Sequence, residues 1–361
     1  MPLLMCSYSY YNVIGGTVDV SVHEKNPDGT LKELHRPSGG PWGGTNVDNH
    51  YIAWLTKLFG RNVIKELTGD LMADYLYMLR EFENKKRTVT PDLNQTITLR
   101  IPSALNEKSK NIESRLARLN LEKDVNILKD KIRVSADIAK SWFQESIDGT
   151  IRHLTEIFSE PTMEDVTSIL LVGGFAESKL MQDAVKTAFR KRTVIIPEEA
   201  GLAVLKGAVL FGHRPRLVSS RCVPFTYGYS VTAPFDDSKH SPEQMWIDSY
   251  GNRMVNNCFR KVVEIGTSVD VGKDIKAPST LILQKDYQIP LYIYASTDRD
   301  PEYTTDPSCT KVGELNTGKA PGETYDDNRV QVYFTFGDTE LKATVNFLKT
   351  GKVVSKTIDC L

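Results

Sequence analysis

Four residues at the end of one charged stretch, Glu83, Lys86, Arg87 and Thr90, are spaced i, i+3, i+4 and i+7. On a helix that spacing places all four on one face. A carboxylate there could take ribose hydroxyls, a guanidinium could stack on a base, and a hydroxyl could meet a ring nitrogen. Read alone, the same face is a surface helix with ordinary salt pairs. Three glycine-bearing segments flank it. Gly15-Gly16-Thr17 stands just before a strand-like run that opens at Val18 and carries Asp19. Adjacent glycines let backbone N–H groups approach an anion, and the Thr hydroxyl adds a donor. Gly39-Gly40-Pro41-Trp42-Gly43-Gly44-Thr45 precedes a helical pattern, whose first N–H groups near Gly43 and Gly44 could face phosphate. LLVGGFAES puts Gly173, Gly174 and Phe175 at the end of a wholly apolar strand and before a helix, where open α/β sheets bind ligands. Taken singly, the first reads as a tight turn and the second as a loop. The third is balanced between a ligand cradle and close helix-on-strand packing.

The elements that must position these residues can be read from periodicity. VDVSVHE alternates as a strand, Asn-Pro-Asp-Gly follows as a turn, and LKELHR returns. Trp54, Leu55, Leu58 and Phe59 recur at helical spacing within 49–86. The charged stretch 106–131 reads as a solvated helical face. Ser135 can cap a helix with a stripe of Ile138, Trp142, Ile147, Ile151, Leu154 and Phe158. SILLV then reads as a strand buried on both faces. The helix beginning near Ser178, the short strand TVII and the helical PEEAGLAVLKGAVLFG complete an α/β pattern. Beyond His213-Arg214-Pro215 only short β-type runs separated by turn residues remain. The expected division is therefore an unassigned start at 1–12, an α/β lobe at 13–214 and an all-β domain at 215–361.

Composition narrows the function classes. The 361 residues carry 45 Lys and Arg against 46 Asp and Glu, which gives no electrostatic reason to expect nucleic acid as a partner. No apolar run approaches a membrane span, and the first residues carry no basic leader, so a cytoplasmic protein is expected. Five scattered cysteines with no CxxC spacing suggest reduced thiols, and the histidines form no HExxH metal motif.

In this order and at these separations, GGTVDVSVHE, LKELHRPSGGPWGG, FENKKR, ILLVGGFAESKLMQDAV, IIPEEAGLAVLKGAVLFG, FTYGYSV and FGDTELKAT resemble the heat shock 70 family of actin-like ATPases. The resemblance is strongest to its divergent heat shock 70 kDa protein 12 branch (12A and 12B). It implies an actin-like, ribonuclease H-like ATPase lobe followed by a peptide-binding β-sandwich, with ATP or ADP and Mg as cofactors and protein or peptide clients as partners. By the same resemblance Gly15, Gly16 and Thr17 belong to a phosphate loop, and Asp19 lies near the metal. Glu83, Lys86, Arg87 and Thr90 clasp adenosine, Gly173 and Gly174 lie beneath the nucleotide, and Glu198 closes the pocket.

The sequence departs from the family pattern in ways that bear on chemistry. Asn12 stands where the family has a metal-associated Asp, and Ile14 where its phosphate loop has glycine. A β-branched side chain resists φ > 0 and projects toward the phosphates. Glu177 occupies the place of an adenine-stacking arginine, with Phe175 as a different surface nearby. The family's first lobe, with its catalytic lysine, does not precede Asn12. The expectation is therefore a partial, truncated chain of an ATP-binding chaperone-type protein without independent ATPase activity and with no catalytic residue of its own. The alternative is a non-catalytic interaction module of the same branch; a sugar kinase of the actin-like superfamily fits least. An apolar face left by a missing lobe would favour self-association.

Overall fold

The computed structural model describes residues 7–13, 16–109, 111–214, 217–283, 290–318, 328–337 and 340–359. The chain forms two compact units, Met1–Pro27 with Pro37–Pro215, and Asp28–Arg36 with Arg216–Leu361.

The first unit is built on a mixed sheet. Strands β1 (Ser7–Val13) and β2 (Val18–Lys25) are antiparallel, with Asn12 opposite Asp19. In β2 the alternation buries Val18, Val20 and Val22, as the period of a half-buried strand requires. Strand β3 (Leu31–Gly40) runs into this unit from Pro37 onward. There Gly39 lies so close to β2 that a Cβ on it would stand 1.9 Å from the Val18 carbonyl oxygen.

Three helices follow: α1 (Gly44–Phe59), α2 (Arg61–Leu67) and α3 (Met72–Lys86). Helix α1 buries Val47, Tyr51, Leu55, Leu58 and Phe59 along one stripe. The charged stretch 106–131 departs from its expected form. It is helical in α4 (Ser103–Lys108) and again in α5 (Ile112–Arg118). Beyond that it turns into β5 (Val125–Ile127), which joins β4 (Ile97–Arg100) and β6 (Lys131–Val134) in a small sheet of order β4-β6-β5. Val125, Ile132 and Val134 are the buried residues that draw this segment into the sheet, a period of two hidden among charges.

The helix expected after Ser135 is two. Ser135 caps α6 (Ala136–Ser141), accepting a hydrogen bond from the Ile138 N–H, and α7 (Gln144–Phe158) begins after a turn at Trp142 and Phe143. The buried face of α7 carries Ser146, Gly149 and Thr150 as well as Leu154 and Ile157. Small residues are needed there because Trp42 lies against the backbone; a Cβ on Gly149 would stand 2.4 Å from its ring. Strand β7 (Val166–Val172) is buried along most of its length and runs parallel to both β1 and β8 (Thr193–Ile195). Helices α8 (Lys179–Ala188) and α9 (Ala200–His213) complete the unit.

The second unit contains no α-helix among the described residues. The opening residues of β3 run parallel to β9 (Val218–Cys222), with Leu31 opposite Val218. Glu33 is buried there and accepts a hydrogen bond from the Cys222 N–H at 3.1 Å. Strands β10 (Thr226–Pro234), β11 (Met245–Ile247) and β12 (Arg253–Val263) come next, then β13 (Ser268–Asp270), which pairs with β9. They are followed by β14 (Asp274–Lys276), β15 (Leu281–Ile282), β16 (Leu291–Ser296), β17 (Cys309–Leu315), β18 (Arg329–Phe336), β19 (Glu340–Phe347) and β20 (Val353–Asp359). One sheet has the order β11-β12-β10-β16-β17, and another β14-β18-β19-β20 with β15 beside β18. A single apolar cluster is shared by the two: Tyr227 meets Phe336 edge-on at 5.3 Å and Tyr229 meets Phe334 at 6.4 Å. Among the described residues Cys222, Cys258 and Cys309 form no disulfide. No described helix is long and apolar enough to cross a membrane.

Candidate nucleotide site

Parallel pairing sets the frame. Asn12 of β1 lies opposite Val172 of β7, so the turn holding Gly16 and Thr17 and the Gly173-Gly174 pair leave the sheet at the same end. Ile14 and Gly15 lie outside the described residues. Gly16 is exposed, with nothing within 4 Å of where a Cβ would sit, and the Thr17 hydroxyl donates to an Asp19 carboxylate oxygen at 3.1 Å. Among the described residues no group of three His, Cys, Asp or Glu converges to hold a metal ion.

Gly173 has φ +91° and ψ 165°, a region that only glycine enters without strain. Its N–H donates to the Ala200 carbonyl at 2.8 Å, which ties the end of β7 to the start of α9. Gly174 opens a short 3-10 turn through Glu177 and leaves open space where a side chain would be. Phe175 corrects one expectation: it is buried and stacks on Phe143, centroids 6.2 Å apart, so it offers no open ring face. Glu198 is exposed in the segment before α9.

Glu83, Lys86, Arg87 and Thr90 are only partly on one helical face. Helix α3 ends at Lys86 with Arg87 as its C-cap, and 3-10-like bonds from Thr88 N–H to the Lys85 carbonyl and from Val89 N–H to the Lys86 carbonyl close it. Thr90 falls beyond, because Pro91 disfavours the helical conformation in the residue before it. It borders instead a shallow cleft of about 290 Å³ with Asp92, Lys179 and Lys186.

The other three share the last turn of α3. The Lys86 ammonium, 10% exposed, reaches the Asp48 carboxylate at 2.7 Å, the Glu83 carboxylate and, at 3.5 Å, the Gly44 carbonyl. Lys86 thus fastens α3 to the first turn of α1, at the Gly43-Gly44 junction. Burial pushes the Asp48 carboxyl above its ordinary value, and Lys86 only partly offsets this. For Glu83 burial also pushes upward, but hydrogen bonds from Lys86 and Arg87 outweigh it and hold the group below its ordinary value. Arg87 binds Glu83 through Nε at 2.9 Å and reaches Glu177 through Nη1 at 3.4 Å. The second Glu177 oxygen accepts the Gly201 N–H at 3.3 Å.

Asp48 and Glu177 were not among the residues singled out for the site. Nothing local marks Asp48, since its partner is 38 positions away. Glu177 was visible only as an acid where an arginine is usual. The structure therefore joins Gly44, Asp48, Glu83, Lys86, Arg87, Glu177, Gly201 and the Gly173-Gly174 turn into one contiguous cluster. Open room at Gly174 and an exposed guanidinium leave space for a flat ligand beside the cluster.

A family model described as Hsp70 protein matches residues 9–234. Heat shock 70 kDa protein 12A of Mus musculus is 34% identical over 357 residues, covering 96% of this chain and 53% of that protein. Heat shock 70 kDa protein 12B of Homo sapiens is 31% identical over 367 residues, with the same two coverages, 96% and 53%. Chaperone protein DnaK of Mycoplasmopsis synoviae is 27% identical over 225 residues, covering 60% of this chain and 34% of that protein. The chain thus spans about half the length of the 12A and 12B relatives it matches.

Proposed function

The chain belongs to the Hsp70 family, and from that premise we propose that it is a chaperone-type ATP-binding protein of the heat shock 70 kDa protein 12 branch. In this reading its first unit grips the adenosine half of the nucleotide and its second unit receives protein or peptide clients. The observation that carries the first part is the cluster of Glu83, Lys86, Arg87 and Glu177 beside the Gly173-Gly174 turn. Gly15, Gly16 and Thr17, with the α1 start at Gly43-Gly44, would receive phosphates. Mg²⁺ would supply charge neutralisation, with Asp19 acting on it at a distance. Glu198 would close the pocket.

Hydrolysis is not expected from these residues by themselves. Phosphoryl transfer needs charge neutralisation and positioning from both sides of the triphosphate. By the family resemblance Asn12 and Ile14 replace an acid and a glycine of the phosphate loop. Calorimetric titration with ADP and ATP, paired with single-turnover hydrolysis, tests the reading. Weak, adenosine-dependent binding with hydrolysis at the no-enzyme blank is expected. Turnover well above the blank would refute the non-catalytic part, and affinity for tripolyphosphate without affinity for adenosine would refute the clasp.

The second unit, two sheets around one apolar core, supports a β-sandwich client domain. An interaction module working without nucleotide is the second reading. It is favoured by the exposed Trp246, Ile247 and Tyr250 on and just beyond the edge strand β11. Client capture that is indifferent to ADP and ATP would select it.

A further inference from the structure

The guanidinium of Arg87 is held from two directions. Nε and Nη2 both meet one Glu83 oxygen, at 2.9 and 2.8 Å, and Nη1 meets Glu177 at 3.4 Å. Guanidinium N–H bonds lie in the plane of the group, so tethers to all three nitrogens fix that plane and leave its two flat faces unused. The side chain remains 60% exposed, so a face is open to a planar ligand. Glu83 lies on the same helix as Arg87 and can follow it; Glu177 does not. It sits at the end of the turn that begins with Gly173-Gly174, and its other oxygen accepts the Gly201 N–H in the first turn of α9. Gly201 is fitted to this contact, since a Cβ there would stand 2.9 Å from the Glu177 oxygen.

We infer that Glu177 is a positioning residue for the nucleoside: it anchors Arg87 to the glycine turn and to α9, and so orients the guanidinium face against which a base stacks. The inference rests on the adenosine reading of the site and adds a residue to it. Three carboxylates, Glu83, Glu177 and Asp48, stand against two cations, Arg87 and Lys86, so the cluster carries no net positive charge. Recognition there is therefore of a flat base and not of an anion.

The test uses the full chain in solution, adenosine and tripolyphosphate as separate probes, and ligand-observed NMR. Glu177→Gln keeps an acceptor for Gly201 but loses the ion pair, whereas Glu177→Ala loses both. Amide exchange at Gly201 should be unchanged in the first and faster in the second; equal exchange in all three proteins overturns the bridge. Adenosine binding should weaken about two- to five-fold in Glu177→Gln, the size of an exposed ion pair, with tripolyphosphate unaffected. Because Glu177 acts through Arg87, adding Glu177→Gln to Arg87→Ala should cost nothing more. A further loss in that double variant, or no loss in the single one, overturns the inference. A wild-type chain without any adenosine signal, its Gly201 protection intact, would instead sink the site reading and with it the nucleoside role of Glu177.

Discussion

Phe82 lies flat against Tyr51, with ring centroids 3.9 Å apart and planes 5° from parallel, one residue before Glu83. Trp142 meets both rings edge-on at 5.2 and 5.5 Å. This aromatic cluster joins α3, α1 and the α6–α7 turn, so the last turn of α3 is fixed by the core directly beneath it. Phe82→Ala should lower stability by about 3–5 kcal/mol, as large buried aromatics do. At temperatures where the variant stays folded it should also weaken adenosine binding. Full stability by denaturant titration would show that the cluster does not hold α3.

The Tyr51 hydroxyl has no hydrogen-bond partner among the described residues, and burial raises its pKa. Tyr51→Phe keeps both ring contacts and removes a stranded polar group. Stability should rise by about 1 kcal/mol. A loss of that size in chemical denaturation would instead reveal a bound partner for the hydroxyl.

Gly173 holds a conformation closed to residues with a Cβ, and its N–H bonds Ala200. Gly173→Ala should cost about 1–3 kcal/mol and displace the turn that carries Glu177. Gly174→Ala, with open space and no positive φ, should leave stability nearly unchanged while obstructing a ligand. Thermal melts of the two variants, compared with their adenosine binding, check the contrast.

Burial raises the Glu33 carboxyl above its ordinary value of 4.5, against the lowering effects of the Cys222 N–H and the Arg221 charge. The ionised form is therefore the one the fold disfavours. Stability attributable to Glu33 is unaffected below pH 4.5 and falls as pH rises from there through the raised value. Glu33→Gln should flatten that part of the stability–pH curve. An unchanged slope between wild type and variant in urea titrations at several pH values would contradict the assignment.

Helix α9 exposes Leu202, Leu205, Val209 and Leu210, and Ala200 is its one buried residue. A surface of this kind promotes self-association. Leu205→Glu combined with Val209→Glu should shift the chain toward monomer in sedimentation equilibrium. Identical distributions for both proteins would place any association elsewhere.

What could be read in the sequence follows how local each signal is. The apolar run of β7, the alternation of β2 and the stripe of α1 lie within a few residues, and all three elements formed where periodicity put them. The stretch 106–131 misled because β5 is only three residues long and set among charged neighbours, and it becomes a strand through pairing with β6, which pairs in turn with β4. Thr90 left the helical face because of Pro91, a signal present in the sequence and outweighed there by spacing. At the site, Glu83 and Arg87 were legible as an i, i+4 pair. Asp48 and Glu177 meet their partners 38 and 90 residues away, and no local pattern carries that information.

The residues Asp28–Arg36 belong with the second unit although nearly all of that unit follows Arg216. A gene fragment beginning after residue 216 would thus be born with a missing edge. Its β9 strand would show bare amides where Leu31 and Lys32 should pair, and the Cys222 N–H would have no Glu33 to meet. Supplied as a synthetic peptide, 28–36 should restore solubility to such a fragment, much as a donated strand completes an unfinished sheet.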